Sequence, residues 1–156
     1  MEYKTNVMRI LNAKKIRYSC HSYIDTDAIS GVDVANVLHQ DPNKVFKTLV
    51  TVSASKKYYV FLIPVNRELN LKRAAKAVSE KSIEMIKQKD LFKLTGYVHG
   101  GCSPIGMKKF FRTIIDESSI KYEKIIFSAG KIGYQVEISL EDLKKIINFD
   151  FADLSD

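Results

Sequence analysis

Lys44-Val45-Phe46-Lys47-Thr48-Leu49-Val50-Thr51-Val52-Ser53 and Lys57-Tyr58-Tyr59-Val60-Phe61-Leu62-Ile63-Pro64-Val65 are two apolar, β-favouring runs separated only by Ala54-Ser55-Lys56. Such residues fit a pleated surface lying against a core, and so short a connection reads as an antiparallel hairpin. The first run carries a cation, Lys47, among apolar neighbours. An ammonium taken out of water without a partner is costly, so its fate depends on which face of the strand is buried. One alternation points Val45, Lys47 and Leu49 inward. The other points Phe46, Thr48 and Val50 inward and leaves Lys47 in solvent, the usual place for a lysine.

Working outward, residues 6–15 place Val7, Ile10 and Leu11 on one helical stripe behind a cap at Thr5 or Asn6. Residues 17–23 read as a strand, and Ser30-Gly31 precedes a helix to about Leu38 with Val34, Val37 and Leu38 inward. Residues 71–78, capped by Asn70, and residues 82–89 read as helices. Residues 96–99, 112–116, 124–128 and 133–138 read as strands. Ser139-Leu140-Glu141-Asp142 starts a short helix ending near Ile147, because a serine and an acidic residue three positions on can satisfy free amides at the helix start. Strands outnumber helices and mostly do not alternate with them. This predicts an α+β fold with a mixed, mostly antiparallel, barrel-like sheet surrounded by helices. The 156 residues, 46% of them hydrophobic, suit one domain spanning 1–156.

Two glycine-rich loops follow the hairpin. In Gly100-Gly101-Cys102-Ser103-Pro104-Ile105-Gly106, glycine permits positive φ and close approach of a ligand to the main chain, and successive amides can converge on an anion or a carbonyl oxygen. A plain tight connection explains the same residues equally well. Ser128-Ala129-Gly130-Lys131-Ile132-Gly133, after the strand-like 124–127, reads first as a hairpin turn. It lacks the spacing of a phosphate-binding P-loop, and no GxGxxG fingerprint occurs in the chain.

Lys+Arg 25 against Asp+Glu 18 gives a net charge of +7 and favours an anionic partner such as nucleic acid. The cations cluster as Lys14, Lys15 and Arg17, then Lys72, Arg73 and Lys76, then Lys108, Lys109 and Arg112. These groups make a phosphate-tracking surface only if folding puts them on one face. Cys20 and Cys102 form no CxxC pair and have no metal-ligand spacing to His21, His39 or His99, so no metal and no cofactor is expected. The start Met1-Glu2-Tyr3-Lys4-Thr5 has no hydrophobic signal core, and no apolar stretch approaches about 18 residues. A cytoplasmic setting without membrane contact is the expectation.

The order of several segments resembles the YbaK family of aminoacyl-tRNA editing proteins, relatives of the editing domain inserted in bacterial prolyl-tRNA synthetases. The segments are His21-Ser22-Tyr23, Asp41 through Val50, Leu71-Lys72-Arg73-Ala74-Ala75-Lys76, Thr95 through Lys109, Ser128 through Gly133, and Phe151-Ala152-Asp153. The resemblance is strongest over Thr95 to Lys109. It implies a closed mixed sheet with surrounding helices and the removal of a wrong amino acid from a charged transfer RNA, cysteine on tRNA(Pro) foremost. It also implies prolyl-tRNA synthetase as a companion.

Lys47 and Gly100, carried over by resemblance, and Gly101, whose lack of a side chain likewise permits close approach, are the expected catalytic positions. Lys47 binds or orients the ester, and the glycine amides hold the oxyanion. Tyr23, Ser103, Ser128, Gly130, Gly133 and Gln135 are the expected substrate-binding positions. The resemblance further implies that a cysteinyl substrate supplies its own thiol as the nucleophile, leaving as a thiolactone. Gln135 stands where relatives often have aspartate, Ala129 replaces a glycine, and the segment from Tyr23 to Gly31 is shorter than usual. Other readings are a deacylase for Ala-tRNA(Pro) or another mischarged transfer RNA, a non-catalytic tRNA- or synthetase-binding module, and a thiol enzyme centred on Cys102 with His99 nearby.

Overall fold

The computed structural model describes residues 4–156. Helix α1 (Asn6–Ala13) starts at Thr5, whose Oγ1 accepts the Met8 amide at 3.2 Å, so Thr5 rather than Asn6 is the cap. Strand β1 (Ser19–Ser22) and helix α2 (Gly31–Val37, capped by Ser30) lead through a 3-10 turn (Pro42–Lys44) into β2 (Phe46–Ser53). Then come β3 (Tyr58–Pro64), α3 (Leu71–Ala77, capped by Asn70), β4 (Ile83–Met85) and α4 (Gln88–Thr95). The chain finishes with β5 (Arg112–Asp116), β6 (Lys124–Ser128), β7 (Tyr134–Ser139), α5 (Leu140–Leu143, capped by Ser139) and β8 (Asp150–Ala152).

The α+β reading holds, with a difference in the sheet. The strands form two sheets, ordered β1-β7-β6 and β4-β2-β3-β5-β8, that do not close into a barrel. Four of the strand pairings are antiparallel; β3–β5 and β5–β8 are parallel. Among the described residues a single parallel bridge, Val45 to Ile126, joins the sheets. The reason for the opening lies in β2. Its edge away from β3 is paired with β4 at Thr51, Val52 and Ser53 and with the Ile86 amide at the Val50 carbonyl, and ahead of that only the Val45–Ile126 bridge reaches the smaller sheet, so no continuous ladder among the described residues closes the two sheets.

The hairpin is buried on both faces, which is why both runs read as nearly continuous apolar sequence. Phe46, Val50, Val60 and Leu62 pack with Val7, Met8 and Leu11 of α1 and with Ile125, Phe127, Val136 and Ile138 of the smaller sheet. Tyr59, Phe61 and Ile63 pack on the other side against Ala74, Ala75 and Val78 of α3. Each fully buried Leu, Ile or Phe contributes about 1.5–3 kcal/mol, so these layers set the hairpin rigidly.

Three local expectations are corrected. Residues 82–89 are not a helix: Ile83 pairs with Ser53 at the sheet edge, and the helix comes later, over Gln88–Thr95, with Leu91, Leu94 and Thr95 buried. Residues 96–99 are not a strand, because Gly96 at φ 84 ends that helix in the left-handed region. Val37 of α2 is 44% exposed, and Ala35 takes the inward place.

Candidate active site

The apolar face of β2 that carries Phe46 and Val50 belongs to the main core, while Val45 and Leu49 on the opposite face pack into two other clusters. Lys47 sits between Val45 and Leu49, opposite Ile63, and is half-buried rather than solvated. It lines a cavity of about 410 Å³ beside β2. Among the described residues no carboxylate lies within ion-pair distance of it. A half-buried ammonium with no fixed counter-ion is available to an oxygen that enters the cavity.

Gly100, Tyr23, Ser128 and Gln135 line the same cavity as Lys47. Gly100 has φ 87 and is exposed, a backbone shape that only glycine adopts freely. Its amide has no main-chain acceptor among the described residues. Tyr23 is 9% exposed; its amide donates to the Gly133 carbonyl at 2.9 Å, and its hydroxyl has no intramolecular partner among the described residues. Ser128 Oγ accepts the Gly130 amide at 3.1 Å. Gln135, 5% exposed, is held by the side chain of Gln40, whose Nε2 donates to its Oε1 at 2.8 Å.

The other expected site residues are placed in the walls. Gly101 donates its amide to the Val98 carbonyl at 3.0 Å, so that amide is not free for an oxyanion. Its lack of a side chain matters for packing instead: a Cβ there would lie 3.1 Å from the Ile132 backbone nitrogen. Gly130, at φ 89, similarly leaves room for Tyr97 and Val7, and Gly133, at φ 105, turns the chain beside Ile24. Ser103 is fully buried, and its Oγ accepts the Ile105 amide at 3.3 Å. None of these four lines the cavity.

Thr48 was not singled out by sequence reasoning. It lines the cavity beside Lys47, and its buried Oγ1 has no hydrogen-bond partner among the described residues. The start of α2, Ser30 and Gly31, also reaches the cavity; its capping signal was legible, its destination was not.

Burial pushes the Cys102 thiol up to about 12, so it stays protonated at neutral pH despite lining the cavity. Tyr97, whose hydroxyl donates to the Ile105 carbonyl, is likewise pushed up to about 12 by burial. A thiol-enzyme reading of Cys102 has no activated nucleophile to support it. Further along β7, on the same face as Gln135, burial opposes ionisation of Glu137, but hydrogen bonds from Lys44 at 2.9 Å and His21 at 2.8 Å prevail and hold its carboxyl below the usual value. That cluster pins β1, β7 and the turn before β2 together. Among the described residues, no three His, Cys, Asp or Glu side chains gather in a metal-binding group.

The cavity therefore presents a cation, a free main-chain amide, and hydroxyl and amide side chains, over an apolar floor of Phe46 and Phe127. This arrangement can hold a small ester and stabilise negative charge on its carbonyl oxygen.

Residues 26–146 match the family described as the aminoacyl-tRNA editing domain. Over 155 residues, 99% of this chain and 94% of the relative, the chain is 43% identical to a protein of Enterococcus faecalis that bears the working name Cys-tRNA(Pro)/Cys-tRNA(Cys) deacylase EbsC. Among solved structures, one described under the working name of a trans-editing enzyme for prolyl tRNA synthetase superposes with a TM-score of 0.83 at 19% identity, covering 99% of each chain. A hypothetical protein superposes with a TM-score of 0.84 at 17% identity, over 97% of this chain and 100% of its own. At these identities the superpositions establish the fold.

Proposed function

The chain belongs to the aminoacyl-tRNA editing domain family, and from that membership we propose that it acts as one trans-editing deacylase domain that removes cysteine from Cys-tRNA(Pro) in the cytoplasm. The observation that carries this reading is the meeting of Lys47 and Gly100 on one ester-sized cavity. The need for such an enzyme is physical: a site that accepts proline cannot strongly reject an amino acid of similar size, since one methylene is worth only about 1–3 kcal/mol. A second site must remove the error.

In the proposed reaction the Lys47 ammonium and the Gly100 amide stabilise the carbonyl oxygen as negative charge builds there. The thiol of the bound cysteine attacks its own carbonyl carbon: the S–C bond forms, the bond to the ribose oxygen breaks, and the thiol proton ends on that ribose oxygen. An intramolecular attack already has a high effective concentration, so the protein supplies posture and charge. Supporting this, the buried thiol of Cys102 and the enclosed Ser103 are unsuited to be nucleophiles. Tyr23, Ser128 and Gln135 contact the aminoacyl and ribose groups, and prolyl-tRNA synthetase delivers the substrate.

The test is a panel of charged transfer RNAs mixed with purified protein. Release of cysteine from Cys-tRNA(Pro), with alanine retained on Ala-tRNA(Pro), is expected. Release of alanine alone would move the assignment to the sibling activity, and binding without any release would mark a non-catalytic module.

A further inference from the structure

Folding separates the three basic groups of the sequence. Arg73, in the group on α3, is held by Asp153 at 2.9 Å and Asp156 at 2.5 Å, so its charge is spent tying down residues 153–156. Lys14 of the first group meets the third group. Lys14, at the end of α1, shares a concavity of about 340 Å³ with Lys108, Lys109 and Phe110. Phe110, with Arg112 and Lys144, also lines an adjoining concavity of about 520 Å³. Phe110, Thr113, Ile147 and Asn148 border both, which makes them one continuous groove.

Two features of this groove suit an anionic, ring-bearing ligand. Phe110 is 77% exposed, a large ring held in water between cations. Among the described residues that line the groove, Asp150 is the one carboxylate, 3.8 Å from Arg112, and none of the four lysines has an ion-pair partner, although Lys108 lies over the Phe92 ring at 4.7 Å and Lys144 over the Phe149 ring at 5.8 Å. We propose that the groove binds the backbone of the RNA that carries the ester, several nucleotides from the reacting end. Lysines and arginine track phosphates, while an exposed ring offers its face to a base or sugar, a pairing that an acidic peptide would leave unused.

Strand geometry sets the distance. Lys47 pairs with Ile63 and Arg112 with Tyr59. Four residues along β3 and two strand spacings put the Lys47 and Arg112 Cα atoms about 16 Å apart. At about 3.4 Å per stacked nucleotide, that is about five nucleotides. The groove is therefore beyond the reach of a very short RNA end that still fills the cavity.

The identity of the RNA rests on the deacylase reading; the groove itself does not. The experiment compares the protein with Lys14→Glu/Lys109→Glu and Phe110→Ala variants, checked for folding by circular dichroism. Uncharged tRNA(Pro) binding is measured by filter retention across a salt series. The expected result is at least tenfold weaker binding for the double variant and a shallower dependence of log affinity on log salt, by about one unit per lysine lost. Phe110→Ala should weaken binding several-fold without changing the slope. Release of cysteine from an aminoacylated trinucleotide should be unchanged in both, while release from a charged acceptor-stem minihelix should need more substrate. Folded variants with unaltered affinity and slope overturn the proposal, as does tighter binding of polyglutamate than of RNA at equal salt. If the unaltered protein releases no amino acid from any substrate, the deacylase reading fails, and the uncharged-RNA series still decides the groove.

Discussion

Gly101 and Ile132 press the two glycine loops together: a Cβ on Gly101 would meet the Ile132 backbone nitrogen at 3.1 Å. Gly101→Ala needs the neighbouring loop to yield by a few tenths of an ångström and should cost about 1 kcal/mol. Gly130→Ala is harsher, since it adds a Cβ at φ 89 that would lie 2.9 Å from both Tyr97 Cε1 and Val7 Cγ2. The expected cost is about 2–3 kcal/mol. Urea unfolding of the two variants checks the order, and equal midpoints would contradict it.

Lys47→Ala should leave the unfolding midpoint nearly unchanged, because no ion pair is lost, yet lower deacylation about 10²–10³-fold. Single-turnover release from Cys-tRNA(Pro) is the measurement. Lys47→Arg should recover only part of the rate, since a planar fork does not replace a compact ammonium.

Gln40→Ala strips the buried Gln135 amide of its partner across the 2.8 Å contact. A cost of about 1–3 kcal/mol is expected in thermal unfolding. No loss of stability would mean that the pair does not secure the cavity wall.

Glu137 makes stability sensitive to acid. Its carboxyl is held below the ordinary 4.5 in the folded state, so its contribution is fully present above pH 4.5 and is lost as pH falls through the folded value. Unfolding midpoints taken from pH 7 downward should drop more steeply below pH 4.5 for the unaltered protein than for Glu137→Gln.

Cys20 is exposed and Cys102 is buried with its thiol pushed up to about 12. Brief iodoacetamide treatment of the native protein at pH 7.5 should alkylate Cys20 alone, read by peptide mass spectrometry. Cys102→Ala should keep deacylase activity and cost about 1 kcal/mol of stability. Loss of catalysis in a folded variant would revive the thiol reading.

The helices with side-chain caps were legible, since Thr5, Ser30, Asn70 and Ser139 sit next to the residues whose amides they accept. Helix α4 was missed for the converse reason: Lys87 at its start offers no capping oxygen, and Gly96, which stops it, also resembles a strand opening. Residues 82–89 misled because Ile83 and Ile86 suit either a helix or an edge strand, and only pairing with β2 decides. The three-residue β8 exists through its parallel partner β5 and has no local signal. For the site, Lys47 and Gly100 were readable from residue type and resemblance, whereas Thr48 and Ser30 looked like ordinary strand and cap residues.

By itself the sequence determined what is local and repetitive: the two apolar runs, the capped helices, the glycine turns, the α+β class and the family likeness. Tertiary structure alone decided which amides are free, so that Gly100 faces the cavity while Gly101 is bound to Val98. It also decided that the sheets part at β2 instead of closing, and that Lys14 and Lys109 share a groove while Arg73 is neutralised elsewhere. The physical reason is common to these cases. Hydrogen-bond capacity and charge belong to a residue type, but whether they are spent or left available depends on partners distant in the chain.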